Sequence, residues 1–133
     1  MHEQQRLEIV MACLRLTNDF CLLSDRRDYE AYALLYAHNG RFTRPGLDVS
    51  GREAIVAALK QRPAHLIVRH ATVNAIVDVI DEDHAHGRGN HLVFIHDSNS
   101  GQTQPIAVTD YVDHYVRSSE GWKIASREVS RAL

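Results

Sequence analysis

The sequence predicts an α+β fold in which helices come first and a curved, mainly antiparallel sheet follows. Three observations carry this reading. Apolar residues in the first part of the chain recur at helical spacing, the second half consists of β-branched runs separated by turn residues, and the two patterns do not alternate. The chain has 133 residues and 44% hydrophobic content, ordinary for a single compact domain over 1–133.

From about Glu3 to Leu23, Leu7, Val10, Leu14 and Cys21 repeat at near-helical spacing with no proline, which predicts a first helix. A charged break, Asp25 to Asp28, follows. Tyr29, Tyr32, Ala33 and Tyr36 then stand at i, i+3, i+4 and i+7, the stripe of a short helix over 29–37 that Asn39-Gly40 would end. Arg41 to Arg44 is a strand candidate and Pro45-Gly46 its turn. Ala54, Ile55, Ala58 and Leu59 form one face of a third helix over 52–61, which Pro63 stops. Four long strands are expected at 67–80, 84–96, 106–117 and 122–130. Together, three helices pack on a strongly curved sheet.

Composition excludes several partners. The formal net charge is −2, from 15 basic and 17 acidic residues spread along the chain, so no basic stripe points to nucleic acid. No apolar run approaches the roughly 20 residues needed to span a bilayer, and Met1 to Arg6 lacks the apolar core of a signal peptide, which reads as a cytoplasmic protein. Cys13 and Cys21 lie eight residues apart on one helix, about 12 Å along its axis, too far to bridge. They read as small buried hydrophobes, with no activating base evident for a catalytic thiol.

Asp25 in Ser24-Asp25-Arg26-Arg27-Asp28-Tyr29, the pair Arg69-His70 opening a strand, and Gly121-Trp122-Lys123-Ile124 followed by Arg127 form a dispersed set. With the order of helices and strands, this set resembles the SnoaL-like branch of the NTF2-like superfamily over residues 5–130. The similarity is to scytalone dehydratase and hexachlorocyclohexane dehydrochlorinase, the former having an Asp-x-x-Asp-aromatic segment like that at Asp25. The resemblance implies a cone enclosing a pocket, an acid/base dyad of Asp25 and His70, and proton abstraction as a β-leaving group departs. It also implies no metal or other cofactor, and homodimers or homotrimers through the sheet.

Read from the residues alone, several of these positions have a second meaning. A histidine titrating near neutral pH suits proton transfer, and a carboxylate on its other nitrogen fixes the tautomer. Asp25 could equally cap a helix beginning near Asp28. Val73, Ala75, Val77 and Val79 form an apolar stripe of opposite parity to His70, so His70 faces the core only if a bulge shifts the phase or the pocket lies on the polar face. Phe20, Ser24 and Arg44 fall where the dehydratase carries aromatic side chains; Arg44 could hold an anion by bidentate hydrogen bonds or be a solvated surface charge. Tyr111 is either a donor to an oxyanion or a core tyrosine. Arg127 either stabilises negative charge or pairs with a sheet carboxylate. By the resemblance, Gly89 falls where the dehydratase has a second catalytic histidine, and His91, two residues on at the same parity, is the candidate to take its place. His84 and His86 share a strand face, but no acidic or cysteine ligand at a defining spacing accompanies them, and no metal site is expected. Gly87 and Gly89 mark strand bending or close approach of backbone to a ligand.

Two functions compete. The first is a cofactor-independent lyase, dehydratase-like, or an isomerase acting on a small hydrophobic or cyclic substrate, with Asp25 and His70 catalytic and Phe20, Ser24, Arg44, His91, Tyr111 and Arg127 around the substrate. The second is a non-catalytic ligand-binding or assembly module built on the same cone.

Overall fold

The computed structural model describes residues 1–133. Three helices, α1 (Glu3–Arg26), α2 (Tyr29–Ala33) and α3 (Arg52–Lys60), pack on a curved, open sheet of seven strands. The strands are β1 (Tyr36–Arg44), β2 (Leu47–Ser50), β3 (Leu66–Val79), β4 (His84–Asp97), β5 (Gln102–Thr103), β6 (Ala107–Ser118) and β7 (Gly121–Arg131). Their order is β2-β1-β7-β6-β4-β3, with β5 a short addition to β4. All pairings are antiparallel except β1 with β7, which is parallel because α3 and the β3-β4-β6 meander intervene between them in the chain.

The face that α1 buries is rotated from the expected one. Ile9, Cys13, Leu16, Thr17, Phe20, Cys21 and Ser24 are buried along it, so of the expected stripe Cys21 is in the core, whereas Leu7 is exposed. α1 also runs three residues beyond Leu23, so the charged break falls on its last turn and just past it. Arg27 ends the helix in the left-handed conformation (φ 57°), and the Arg27 and Asp28 amides donate to Ser24 and Leu23 carbonyls.

The second helix is shorter than its tyrosine stripe predicts. It stops at Ala33, and Tyr36 begins β1. The i, i+4 contact survives, since the Tyr32 and Tyr36 hydroxyls lie 3.0 Å apart, but it joins a helix to a strand. Asn39-Gly40 therefore ends no helix. Gly40 sits within β1 at a break in its pairing with β7, where an added Cβ would stand 2.9 Å from Tyr36 Cβ. Pro45-Gly46 does turn the chain, into β2, a four-residue strand that the sequence pattern did not reveal.

The β3 strand resolves the parity conflict. Its register with β4 shifts between Val73 and Ile76, and Asn74 adopts a left-handed φ of 57° there. Val77 and Val79 pack on the core beyond the bulge, while Val68 and His70 before it face the same interior. No helix is long and apolar enough to cross a membrane.

Candidate active site

The helices close over one end of the concave sheet face and leave a cavity of about 650 Å3. Phe20 and Ser24 of α1, Tyr32 of α2 and the end of α3 form one side. Phe42 and Arg44 of β1, Val68 and His70 of β3, and His91, Val93 and Ile95 of β4 form much of the other. About half of the lining residues are apolar, and the polar ones are Ser24, Arg44, Gln61, Arg62, His70, His91, Thr109, Ser130 and Arg131.

Asp25 stands behind the wall and meets His70, which lines it. Asp25 Oδ1 lies 2.5 Å from His70 Nδ1, and Asp25 Oδ2 accepts the His70 backbone N–H at 2.8 Å. The carboxylate thus holds both the ring and the main chain of one residue. It caps no helix, because Asp28 itself accepts the Ala31 amide at the start of α2. The two side chains retain only 8% and 15% exposure, so the pair is mostly out of water. With Nδ1 donating to the carboxylate, Nε2 carries the lone pair. Every buried side-chain nitrogen and oxygen in the protein has a partner, and Nε2 has none, so Nε2 is accessible. His70 lines the cavity, and that is the space Nε2 can reach.

Beneath His70 lies a packed polar layer. His91 is 1% exposed, with its ring stacked between Phe20 (6.0 Å, 11°) and Tyr111 (4.6 Å, 12°) and edge-on to His70. Arg127 Nη1 approaches His91 Nε2 at 3.3 Å; a guanidinium only donates, so Nε2 accepts and the proton sits on Nδ1, 3.3 Å from Thr72 Oγ1. Burial, then Arg127 and His70, push the His91 pKa down to about 3. His91 is a neutral, positioned ring at physiological pH, unsuited to act as an acid.

Residues 5–128 match the SnoaL-like domain. The chain belongs to the SnoaL-like family. A search of curated proteins returns no match. Among solved structures, the chain is similar to hexachlorocyclohexane dehydrochlorinase LinA-type3 from Novosphingobium barchaimii LL02, with 18% identity, TM-score 0.89, and 99% of this chain and 92% of that one covered. A scytalone dehydratase-like protein from Novosphingobium aromaticivorans gives 21% identity, TM-score 0.84, and coverage of 98% and 88%. An NTF2-like protein with a cystatin-like fold from the same species gives 24% identity, TM-score 0.80, and coverage of 92% and 80%. At these identities the likeness shows the fold.

Two candidate substrate contacts lie elsewhere in this SnoaL-like cone. Arg127 is fully buried and absent from the cavity wall, because Asp113 takes its Nε at 2.7 Å and its Nη2 at 2.5 Å, and Thr17 Oγ1 takes Nη2 at 2.6 Å. Its guanidinium is clamped between the Phe20 and Tyr111 rings, 4.0 and 4.5 Å from their centroids. Tyr111 is 2% exposed and covered by His91, so it too stands behind the wall. The glycines of β4 have the same cause: a Cβ on Gly89 would stand 2.9 Å from the Tyr111 ring, and one on Gly87 2.7 Å from the Tyr115 ring. The close approach there is by tyrosines of β6, not by a ligand.

Phe20, Ser24, Arg44 and His91 do line the cavity. Ser24 is occupied, its hydroxyl and carbonyl each accepting from Arg62 at 3.1 Å. Sequence reasoning missed Arg62 and Arg131, both at the wall, and Arg27, whose guanidinium donates to the carbonyls of Arg62, Pro63 and Leu66 and ties the end of α1 to the start of β3. The parity of Val129 and Arg131 with Arg127 was the only available signal for Arg131. His84 and His86 lie on the outer face, His84 paired with Asp81 and His86 edge-on to His114, opposite to His91. No three His, Cys, Asp or Glu side chains converge as metal ligands. Burial, with Asp113, raises the Cys13 thiol to about 12, and burial also raises Cys21, so neither thiol is poised as a nucleophile.

Proposed function

We propose that this protein is a cofactor-independent lyase, dehydratase-like, acting on a small cyclic or hydrophobic substrate through His70 as general base. One observation carries the reading: an accessible histidine Nε2 in a cavity about half of whose lining residues are apolar, with Asp25 fixing the opposite nitrogen. In the reaction His70 Nε2 takes a proton from a carbon next to an electron-withdrawing group. The C–H electron pair becomes a C=C bond as the β-hydroxyl leaves, and the imidazolium returns the proton to that oxygen, so that water departs and His70 is restored. No net electron transfer is needed. Asp25 stabilises the imidazolium and keeps the ring in register. The relatives named as dehydrochlorinase and dehydratase-like share the fold and make elimination the favoured subtype over isomerisation, which would return the proton to carbon.

A direct test uses 5-nitrobenzisoxazole, whose base-promoted ring opening reports a general base in an apolar site without knowledge of the natural substrate. The expected result is saturable turnover that falls by roughly 10²–10⁴-fold in His70→Ala, the usual contribution of a positioned base. Turnover unchanged in that variant would remove the catalytic reading and leave a ligand-binding module.

A further inference from the structure

The charges on the cavity wall are all of one sign. Arg44, Arg62 and Arg131 line it, and no aspartate or glutamate does. This is unexpected in a chain of net charge −2. Six other arginines are neutralised: Arg15, Arg41, Arg52, Arg88, Arg117 and Arg127 each pair with a carboxylate. The three at the cavity belong to no ion pair in the protein.

Their positions converge on one end of the cone. Arg44 ends β1 and Arg131 ends β7, and these strands are parallel neighbours, so both side chains stand at the same edge of the sheet. Arg131 follows Arg127 and Val129 on the concave side by the alternation of the strand. Arg62 comes from the helical side, just after α3. Its guanidinium is held by neutral acceptors, the Ser24 carbonyl and hydroxyl, which fix its direction without cancelling its charge. Burial lowers the Arg62 pKa, and Arg27 and Arg44 lower it further, a sign that cations crowd one another here. Asp25 acts in the opposite sense, but both its oxygens are engaged by His70.

Resting on the elimination reading above, we infer that the substrate is an apolar ring bearing a carboxylate, whose anionic head is held by Arg44, Arg62 and Arg131 while its body reaches Phe20 and His70. An anion at this edge would relieve the repulsion among the guanidiniums and receive planar, bidentate hydrogen bonds from them. Phe42, Val68 and Ile95 of the same wall supply apolar contact. A neutral ring of the same shape would fill the apolar part and leave the cations uncompensated.

Isothermal titration with 2-naphthoate and its neutral isostere 2-naphthamide tests this. The Arg44 and Arg131 side chains are exposed and form no hydrogen bond or ion pair within the protein, so Arg44→Gln and Arg131→Gln leave the fold intact. Naphthoate is expected to bind at least about tenfold more tightly than naphthamide, the scale of one charge-assisted hydrogen bond. Each substitution should erode that preference, the pair together should erode it further and leave only what Arg62 supplies, and naphthamide affinity should not move. His70→Ala should retain the preference, so loss of turnover and loss of carboxylate selection are read separately. Equal affinities for the two probes, no binding of either, or a preference undiminished by the double Arg44→Gln/Arg131→Gln substitution would each overturn the inference.

Discussion

Asp25 grips His70 twice, by the ring Nδ1 at 2.5 Å and by the backbone N–H at 2.8 Å, so one carboxylate sets both the tautomer and the main-chain position of its partner. An amide cannot reproduce this. In Asp25→Asn the side chain loses the charge that stabilises an imidazolium and presents a donor where His70 also donates. If the two residues act as one unit, Asp25→Asn should cost much of the roughly 10²–10⁴-fold contribution of the base, and the double Asp25→Asn/His70→Ala variant should fall no further than His70→Ala alone. Rates of 5-nitrobenzisoxazole opening across the four proteins check it; additive losses would show two independent roles.

The direction in which His70 points depends on a residue four positions on. Asn74 sits at φ 57°, and the register shift it accompanies lets His70 and Val77, of opposite parity, both face inward. Asparagine and glycine tolerate this conformation, whereas a β-branched residue does not. Asn74→Gly should be nearly neutral apart from its lost side-chain bond to Asn90. Asn74→Val should destabilise by about 1–2 kcal/mol, the strain of a left-handed non-glycine residue. Urea unfolding of both variants measures the difference; equal stabilities would show that the bulge does not need this backbone.

Neutral, buried His91 makes stability depend on pH. Its pKa is pushed down to about 3 in the folded protein, by burial first and then by Arg127 and His70, against an ordinary value of 6.5. Between these values the unfolded chain binds the proton and the folded chain does not, so this contribution is fully present above about pH 6.5 and is lost as pH falls toward 3. His91→Gln lacks the titration. The denaturant midpoint of the native protein should therefore fall relative to that of the variant on acidification from pH 7 to 4. Parallel curves for the two proteins would mean that His91 takes up its proton in the fold as it does in the unfolded chain.

The contact between Gly89 and Tyr111 predicts an overpacking effect. A methyl group at 89 would press the Tyr111 ring, which supports His91, which in turn stacks on Phe20 at the cavity. Gly89→Ala should cost about 1–3 kcal/mol, as expected for overpacking. Because the displaced ring belongs to the layer beneath His70, 5-nitrobenzisoxazole turnover should also drop at temperatures where the protein remains folded. A pure gain in stability would show that the strand simply benefits from losing a glycine.

How much of this was legible in the sequence follows from how local each signal is. The long strands and α3 were, because period-two and helical patterns are local and turn residues bound them. The second helix was overread because Tyr32 and Tyr36 do lie side by side, and i, i+4 spacing cannot tell a continuous helix from a helix meeting a strand. Asp25 and His70 were found through family resemblance; their contact spans 45 residues and leaves no periodic trace. The same holds for Arg127 and Asp113, whose pairing depends on the register of β6 against β7. Nor could Arg62 be placed at a wall, since it lies past the end of a helix, where periodicity stops.

Arg127 and Asp113 illustrate how a buried charge acts through packing. Both are 0% exposed and bidentate, Tyr115 donates to the same carboxylate, and the Arg127 guanidinium fills the space between Phe20 and Tyr111. Burial alone would lower the Arg127 pKa, but the Asp113 charge and hydrogen bonds more than offset it, so the cation persists. Removing only the carboxylate leaves that cation uncompensated, and Asp113→Leu should cost roughly 3–5 kcal/mol. Replacing both partners, in Arg127→Met/Asp113→Leu, removes the stranded charge and should recover a large part of the loss, though Thr17, His91 and Tyr115 each lose a partner. Urea unfolding of the single and double variants decides between the two contributions. If the double variant is no more stable than Asp113→Leu, the shape of the guanidinium between its two rings, rather than its charge, is what the core requires.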